Sequence, residues 1–409
     1  MAEADYTPLN ECERYGLIYS TVPYTKGFIS PRRYVQGPGS LALAGKLLKN
    51  YGKRAIIFAD KVVMELLREP LSRSLQDSGV DAYFELFNME CSWEEINRLS
   101  KITEELNVDM AVGAGGGKAL DTAKAIGNKT HKTIILIPTI ASTDAPTSAI
   151  SVIYTEPYPG EFIELKFWPR NPDLILVDTK IIASAPARFL ACGMGDALSH
   201  FFEGLAVMQS GKSNFVWLNY DPNVSEPLRS TRLGFELCKL IYEVLRENGV
   251  AGMESARNHV VTPSLELCVE TICLMSGLAF ENTGCAAAHG ISEGLTLLEN
   301  KMRPMQYHGE LVAFGIIVQL VLENRPFHEI VDLMKWVHEI GLPINLKELG
   351  IEGISEEDLW RVSEKAVAPT SPIHNEPFEV NAEKVFSAIK VADSLGRKVA
   401  LISPRIAYE

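Results

Sequence analysis

Three side chains in this sequence are best suited to chemistry at a metal: Asp196 in GMGDALSH, His289 in AAAHGISEGL and His308 in QYHGELVAFG. One carboxylate and two imidazoles, with a coordination position left open, suit catalytic zinc or iron. The intervals between them are too long for a zinc finger, so the three must converge from separate helices. His200 follows Asp196 by four residues, on the same helical face, and could reach the same ion. Sites of three and of four ligands both stay open on these residues alone. His131, His259, His328, His338 and His374 lack such a setting and read as surface or structural residues.

A second concentration of signals lies in residues 113–124, GAGGGKALDTAK. A strand ends near Val112 and a helix begins near Ala119. Between them, Gly115, Gly116 and Gly117 let the backbone approach a ligand, and the helix start offers free N–H groups and partial positive charge. That arrangement suits a pyrophosphate. It matches neither the usual dinucleotide fingerprint nor a Walker loop, and a glycine cluster can also be no more than a tight turn. Asp60 closes strand 55–59, where open α/β sheets bind ligands. There it could accept hydrogen bonds from the adenosine ribose and repel the extra phosphate of NADP; it could also simply cap the next helix. Residues 138–154, PTIASTDAPTSAISVIY, crowd hydroxyls around Asp144. A ligand cleft would house so polar a loop, although an Asx turn ahead of Pro146 is the simpler reading of Asp144.

These residues need a scaffold. Short apolar runs at 55–59, 110–113, 134–137 and 174–177 read as strands buried on both faces, separated by amphipathic stretches such as 61–78 and 93–107. That alternation predicts an α/β domain with a parallel sheet. Beyond residue 183, apolar residues recur at three- and four-residue spacing over 231–248, 264–280 and 310–323, which predicts an all-helical domain. The expected division is an arm over 1–30, an α/β nucleotide-binding domain over 31–185 and a helical metal- and substrate-binding domain over 186–409, with a long loop at 210–229. A chain of 409 residues has room for two such cores. Its net charge of −13 disfavours nucleic acid. The longest apolar run, 311–322, is too short to span a membrane. The acidic first residues do not resemble a targeting signal, and the seven scattered cysteines, Cys12, Cys91, Cys192, Cys238, Cys268, Cys273 and Cys285, fit a reducing compartment. The expected location is the cytoplasm.

Taken together, the segments GGGKALDTAK, PTIASTDAPTSAISVIYT, FWPRNPDLILVDTKIIASAPARFLACGMGDAL, AAAHGISEGLT, YHGELVAFG and LVLENRPFHEI resemble the glycerol dehydrogenase family of the iron-containing alcohol dehydrogenase superfamily, over roughly residues 30–400. The resemblance implies the dehydroquinate synthase-like fold of that superfamily. It also implies NAD as cofactor, one zinc ion on Asp196, His289 and His308, and assembly as a homo-oligomer, often an octamer. Gly116, Gly117 and Lys118 would meet the pyrophosphate, with Asp121 of the same motif in the cofactor site and Asp60 near the ribose. Thr139, Ser142, Ser148, Ile150 and Tyr154 would line the nicotinamide side, and Asp144 would hold a substrate hydroxyl. Typical members carry no histidine at the position of His200, whereas iron-dependent relatives use Asp-x-x-x-His as two ligands.

The expected reaction is NAD-dependent oxidation of glycerol, or a related vicinal diol, to the ketone, assisted by the metal. No side chain stands out as the final proton acceptor. Three rivals share the architecture: a dehydrogenase for a phosphorylated polyol such as glycerol 1-phosphate, a lyase resembling dehydroquinate synthase, and a non-catalytic NAD-binding regulator. Either phosphorylated substrate calls for cations near the ligands, where only Lys301 and Arg303 are evident. A regulator has no need of an open metal.

Overall fold

The computed structural model describes residues 24–214, 216, 228–403 and 405. In it the four apolar runs become the interior of one parallel sheet, each extended by one or two residues. Strands β1 (Tyr34–Gly37), β2 (Arg54–Ala59), β3 (Asp81–Leu86), β4 (Met110–Gly115), β5 (Thr133–Pro138) and β8 (Leu174–Asp178) take the order β1-β8-β5-β4-β2-β3. Every pairing is parallel. Helices α1 (Ala44–Leu48), α2 (Lys61–Gln76), α3 (Trp93–Glu105) and α4 (Gly117–Lys129) connect the strands. Alternate residues of β2 serve opposite faces: Ala55, Ile57 and Ala59 join Leu67, Leu71 and Leu75 of α2, while Ile56 and Phe58 join Ile96 and Leu99 of α3.

The topology places the ligand crevice. β2 pairs with β3 on one side and β4 on the other, so the chain doubles back over β2 between β3 and β4. Open α/β sheets bind ligands outside the carboxyl ends of the strands at such a reversal. Asp60 and the three glycines lie there. The edge strands β1 and β3 were not expected from the sequence. Neither was the hairpin of β6 (Ile150–Tyr154) and β7 (Phe162–Phe167), which takes up the end of the hydroxyl-rich loop.

After β8 the described chain is helical: α5 (Thr179–Ser184), α6 (Ala187–Ser210), α7 (Arg232–Arg257), α8 (Pro263–Thr283), α9 (Ala287–Leu295), α10 (His308–Leu322), α11 (Phe327–Glu339), α12 (Glu356–Ala366) and α13 (Ala382–Ala400). Their apolar faces form one large core. Helix α8 is long and apolar enough to cross a membrane on composition, yet half of that stretch is buried, and it packs on α6 and α7 as a core helix. The segment Thr271–Ser276 within it is π-helical. Most of the expected arm and of the 210–229 loop falls outside the described residues. The end of the arm lies against its own chain: Lys26 bridges Arg229, and the Ile29 N–H donates to Asn282 Oδ1 at 2.7 Å.

Candidate active site

Asp196 sits in the middle of α6, His289 in the first turn of α9, and His308 is the first residue of α10. Helices α6 and α10 cross at glycine. A Cβ on Gly195 would lie 2.6 Å from the Gly309 carbonyl oxygen, and one on Gly309 would run into the Cys192 carbonyl oxygen. Only glycine permits this approach, so the main chain itself brings Asp196 beside His308. The entry to α10 is fixed by buried Glu310, which accepts the Tyr307 N–H at 2.7 Å and two Arg188 N–H groups, also at 2.7 Å.

The three side chains converge. Their ligand-type atoms lie within 4.8 Å of one another. Asp196 Oδ1 is 3.4 Å from His289 Nε2 and 3.5 Å from His308 Nε2, and it is buried without a hydrogen-bond partner. These separations are long for charge-assisted hydrogen bonds. They fit a tetrahedral ion instead: bonds of roughly 2.0–2.1 Å to nitrogen and oxygen set ligand atoms about 3.3–3.4 Å apart. The orphaned oxygen and the donor set both suit a divalent cation. Burial would raise the Asp196 carboxyl, but the facing His289 and His308 hold it well below the usual range.

His200 goes elsewhere. Its Nε2 lies 2.9 Å from Ser276 Oγ, and its ring stacks on His289 with centroids 5.8 Å apart. Its ligand-type atom groups with Glu203 and Cys285, not with Asp196. Burial pushes its pKa down to about 4, against the charge of Asp196.

Asp144 is half-buried in the loop after β5, and its carboxylate has no hydrogen bond among the described residues. Burial, followed by the charge of Asp196, pushes this carboxyl up to about 7; His289, Lys124 and His308 oppose the shift. Its loop packs on the helix that carries Asp196: a Cβ on Gly193 would lie 2.5 Å from the Ala141 carbonyl oxygen. The expected Asx turn is not formed by the side chain; the main chain turns instead, with the Asp144 carbonyl accepting the Thr147 N–H at 3.2 Å.

At the cofactor end, Gly116 is the N-cap of α4 and Gly117 its first residue, two positions earlier than the sequence suggested. A Cβ on Gly116 would meet Ile140 Cδ1 at 2.9 Å, and one on Gly117 would meet Thr143 Oγ1 at 3.3 Å. The glycines thus let the loop after β5 pack directly on the start of α4. Asp60 caps α2, with Oδ1 accepting the N–H groups of Val62 and Val63 at 2.8 and 3.0 Å; its second oxygen takes no part in the cap. Asp60→Ala is expected to cost about 1 kcal/mol of stability. An unchanged urea midpoint would show that the cap contributes nothing.

Other expected cofactor residues are occupied within the protein. Lys118 Nζ pairs with buried Glu90 at 2.6 Å and lies 4.2 Å from the Tyr154 ring centre and 4.9 Å from that of Tyr158. Asp121 pairs with buried Lys124 at 2.8 Å and accepts the Val152 N–H at 2.9 Å. Lys124 also donates to the Ala145 carbonyl at 2.9 Å and to Ser148 Oγ at 3.3 Å. Together they bolt α4 to the loop carrying Asp144. Thr139 is buried at the loop entrance, its N–H donating to the Gly115 carbonyl at 3.0 Å. Ser142 is half-buried beyond it, and Ile150 and Tyr154 open and close β6.

Sequence reasoning missed Glu203, Lys124 and Glu90. Glu203 carried a signal, lying seven residues after Asp196 and hence two turns along the same face. Lys124 stood only as a charge within the apolar stretch of α4, and Glu90 had none.

The family model for iron-containing alcohol dehydrogenase matches residues 31–179. A glycerol dehydrogenase of Thermotoga maritima is 46% identical over 370 residues, covering 90% of this chain and 97% of that protein. A glycolaldehyde reductase of Halobacterium salinarum is 40% identical over 375 residues, covering 92% and 99% respectively. The crystal structure of glycerol dehydrogenase from Schizosaccharomyces pombe superposes with a TM-score of 0.86 at 33% identity, over 95% of this chain and 96% of that one. Likeness at this level, across both the sheet and the helical region that brings Asp196, His289 and His308 together, makes the chain an oxidoreductase of the iron-containing alcohol dehydrogenase family, in its glycerol dehydrogenase branch.

Proposed function

We propose that the chain oxidises glycerol, or a closely related vicinal diol, with NAD as hydride acceptor and one divalent ion, zinc, held by Asp196, His289 and His308. The observation carrying this reading is the buried, unpartnered Asp196 Oδ1 faced by two imidazole nitrogens at 3.4 and 3.5 Å. When bound, such an ion supplies Lewis acidity that makes a substrate hydroxyl more acidic. The protein positions the reactants. The Asp144 carboxylate accepts the neighbouring hydroxyl, orienting the carbon that loses hydride, and such placement is worth several kcal/mol. The first-turn N–H groups of α4, beside the glycine turn, hold the cofactor pyrophosphate. The free oxygen of Asp60 faces the ribose, where its charge disfavours NADP. Thr139, Ser142, Ser148, Ile150 and Tyr154 frame the nicotinamide. Asp121 braces that frame and makes no cofactor contact of its own in this reading.

The cations near the cleft argue against a phosphorylated substrate. Lys118 is paired with Glu90, Lys124 with Asp121, Arg188 with Glu310 and Lys301 with Asp358, which leaves only exposed Arg303, donating to the Met302 carbonyl, without an acidic partner among these. Cytoplasmic location and a homo-oligomer, an octamer by family likeness, complete the proposal.

The test is NADH formation from glycerol, 1,2-propanediol, ethylene glycol and glycerol 1-phosphate, with zinc, iron or no metal restored, and NADH consumption with glycolaldehyde. Turnover of glycerol 1-phosphate alone, or full activity without metal, would sink the reading. Asp144→Asn is expected to lower kcat/KM for glycerol by roughly 10²-fold, the scale of a misplaced reactant, with NAD affinity unchanged. Equal loss of NAD binding, measured by fluorescence titration, would make Asp144 a structural residue.

A further inference from the structure

We propose that Glu203 is the positioning residue of this site, fixing the His289 imidazole so that Nε2 faces Asp196, and that His200 braces the same ring without ligating. The proposal rests on the reading of Asp196, His289 and His308 as the ligand set.

Glu203 is fully buried. Its Oε1 accepts the backbone N–H groups of Ala286 and His289, both at 2.9 Å, and its Oε2 lies 2.6 Å from His289 Nδ1. An ionised carboxylate only accepts, so the hydrogen of a neutral imidazole must sit on Nδ1. The lone pair is thereby left on Nε2, the nitrogen nearest Asp196. A ligand histidine commonly has its other nitrogen held in this way, which sets both tautomer and ring orientation. The backbone of the same turn is tied down as well. The Ala287 N–H donates to Glu376 Oε1 at 3.1 Å and the Ala288 N–H to Gln319 Oε1 at 3.0 Å. Four consecutive N–H groups at the start of α9, normally without partners inside a helix, thus meet three buried side chains. Glu203 alone binds both this backbone and the imidazole.

His200 holds the ring from its face. The His200 and His289 planes are 7° from parallel, and the Phe280 ring also lies beside His200, with centroids 6.2 Å apart. An imidazole ligates through a lone pair in its own plane. Both His200 nitrogens face hydroxyls, Nε2 that of Ser276 at 2.9 Å and Nδ1 that of Ser199 at 3.5 Å. The neighbouring group of His200, Glu203 and Cys285 is not a second metal centre, because the Glu203 carboxylate is already met by three N–H groups.

The full-length protein loaded with Co2+ reports ligand field and stoichiometry, and chelator competition reports Zn2+ affinity. Glu203→Ala is expected to weaken Zn2+ binding by about 10–100-fold, the range for loss of such a supporting partner. Glu203→Gln, which keeps one acceptor oxygen, is expected to recover part of that loss. His200→Phe keeps the stack and is expected to leave the Co2+ spectrum and a single ion per chain unchanged. Wild-type Zn2+ affinity in both Glu203 variants would overturn the positioning role, and Glu203→Gln decides the matter should the alanine variant not fold. A changed Co2+ spectrum in His200→Phe would make His200 a ligand. A second Co2+ ion lost in Glu203→Ala would make the cluster a metal centre. Failure of the underlying reading looks different: the wild-type protein would then bind no stoichiometric Co2+, or His289→Ala would bind it unimpaired.

Discussion

Asp196→Asn is expected to abolish stoichiometric zinc binding and to lower kcat/KM for polyol oxidation by roughly 10³-fold or more, about 4 kcal/mol of transition-state stabilisation. The substitution keeps the side-chain volume and removes the one anionic donor between the two imidazoles. The metal-free variant is expected to melt somewhat below the metal-free parent, because the two imidazoles that hold the Asp196 carboxyl well below its usual range lose their counter-charge. Metal analysis, steady-state kinetics and a thermal melt of both proteins check these three statements. If the metal-free variant failed to fold while the metal-free parent folded, Asp196 would be part of the framework and not a ligand.

The second large effect concerns stability. Lys124 is 1% exposed and Asp121 8%. Removing one member of a buried ion pair leaves the other charge uncompensated and costs about 3–5 kcal/mol. Lys124→Met is expected to show a loss of that size in equilibrium urea unfolding. NAD affinity should fall with it, since the brace between α4 and the loop at 144–152 is cut. Replacing both partners, in Lys124→Met with Asp121→Leu, is expected to recover most of the stability, because an apolar pair of similar volume needs no charge compensation. A loss below about 1 kcal/mol in the single variant would mean that water or local rearrangement solvates Asp121.

How much of this was legible in the sequence follows from what each residue answers to. The central strands could be read because burial on both faces demands unbroken apolar runs such as AIIFA and IILI. Strand β3, DAYFEL, is half-exposed at an edge, so its apolar and charged residues mix and the signal fades. The four residues of β1 are too few to carry a period. Strand β6 was hidden by its place at the end of a loop rich in Ser and Thr. Within the site, Asp196, His289 and His308 could be found because their side-chain chemistry is distinctive against small apolar neighbours. Glu203 and Lys124 could not be assigned, since their meaning lies in partners 86 and 21 residues away. His200 illustrates the limit well: helical spacing placed it near Asp196, but only the position of Ser276 and the plane of the His289 ring show where its nitrogens point.

The glycine crossing of α6 and α10 bears on how the site gains and loses its ion. With Gly195 and Gly309 in main-chain contact, Asp196 and the backbone of His308 cannot draw apart unless the two helices unpack. His289 is nearly enclosed, with its side chain 15% exposed, whereas that of His308 is 48% exposed. Rotation of the His308 side chain is then the one movement that opens the coordination shell while the rest of the protein keeps its shape. Exchange of zinc with a chelator or a competing ion should accordingly follow the rate of a side-chain motion, far faster than global unfolding.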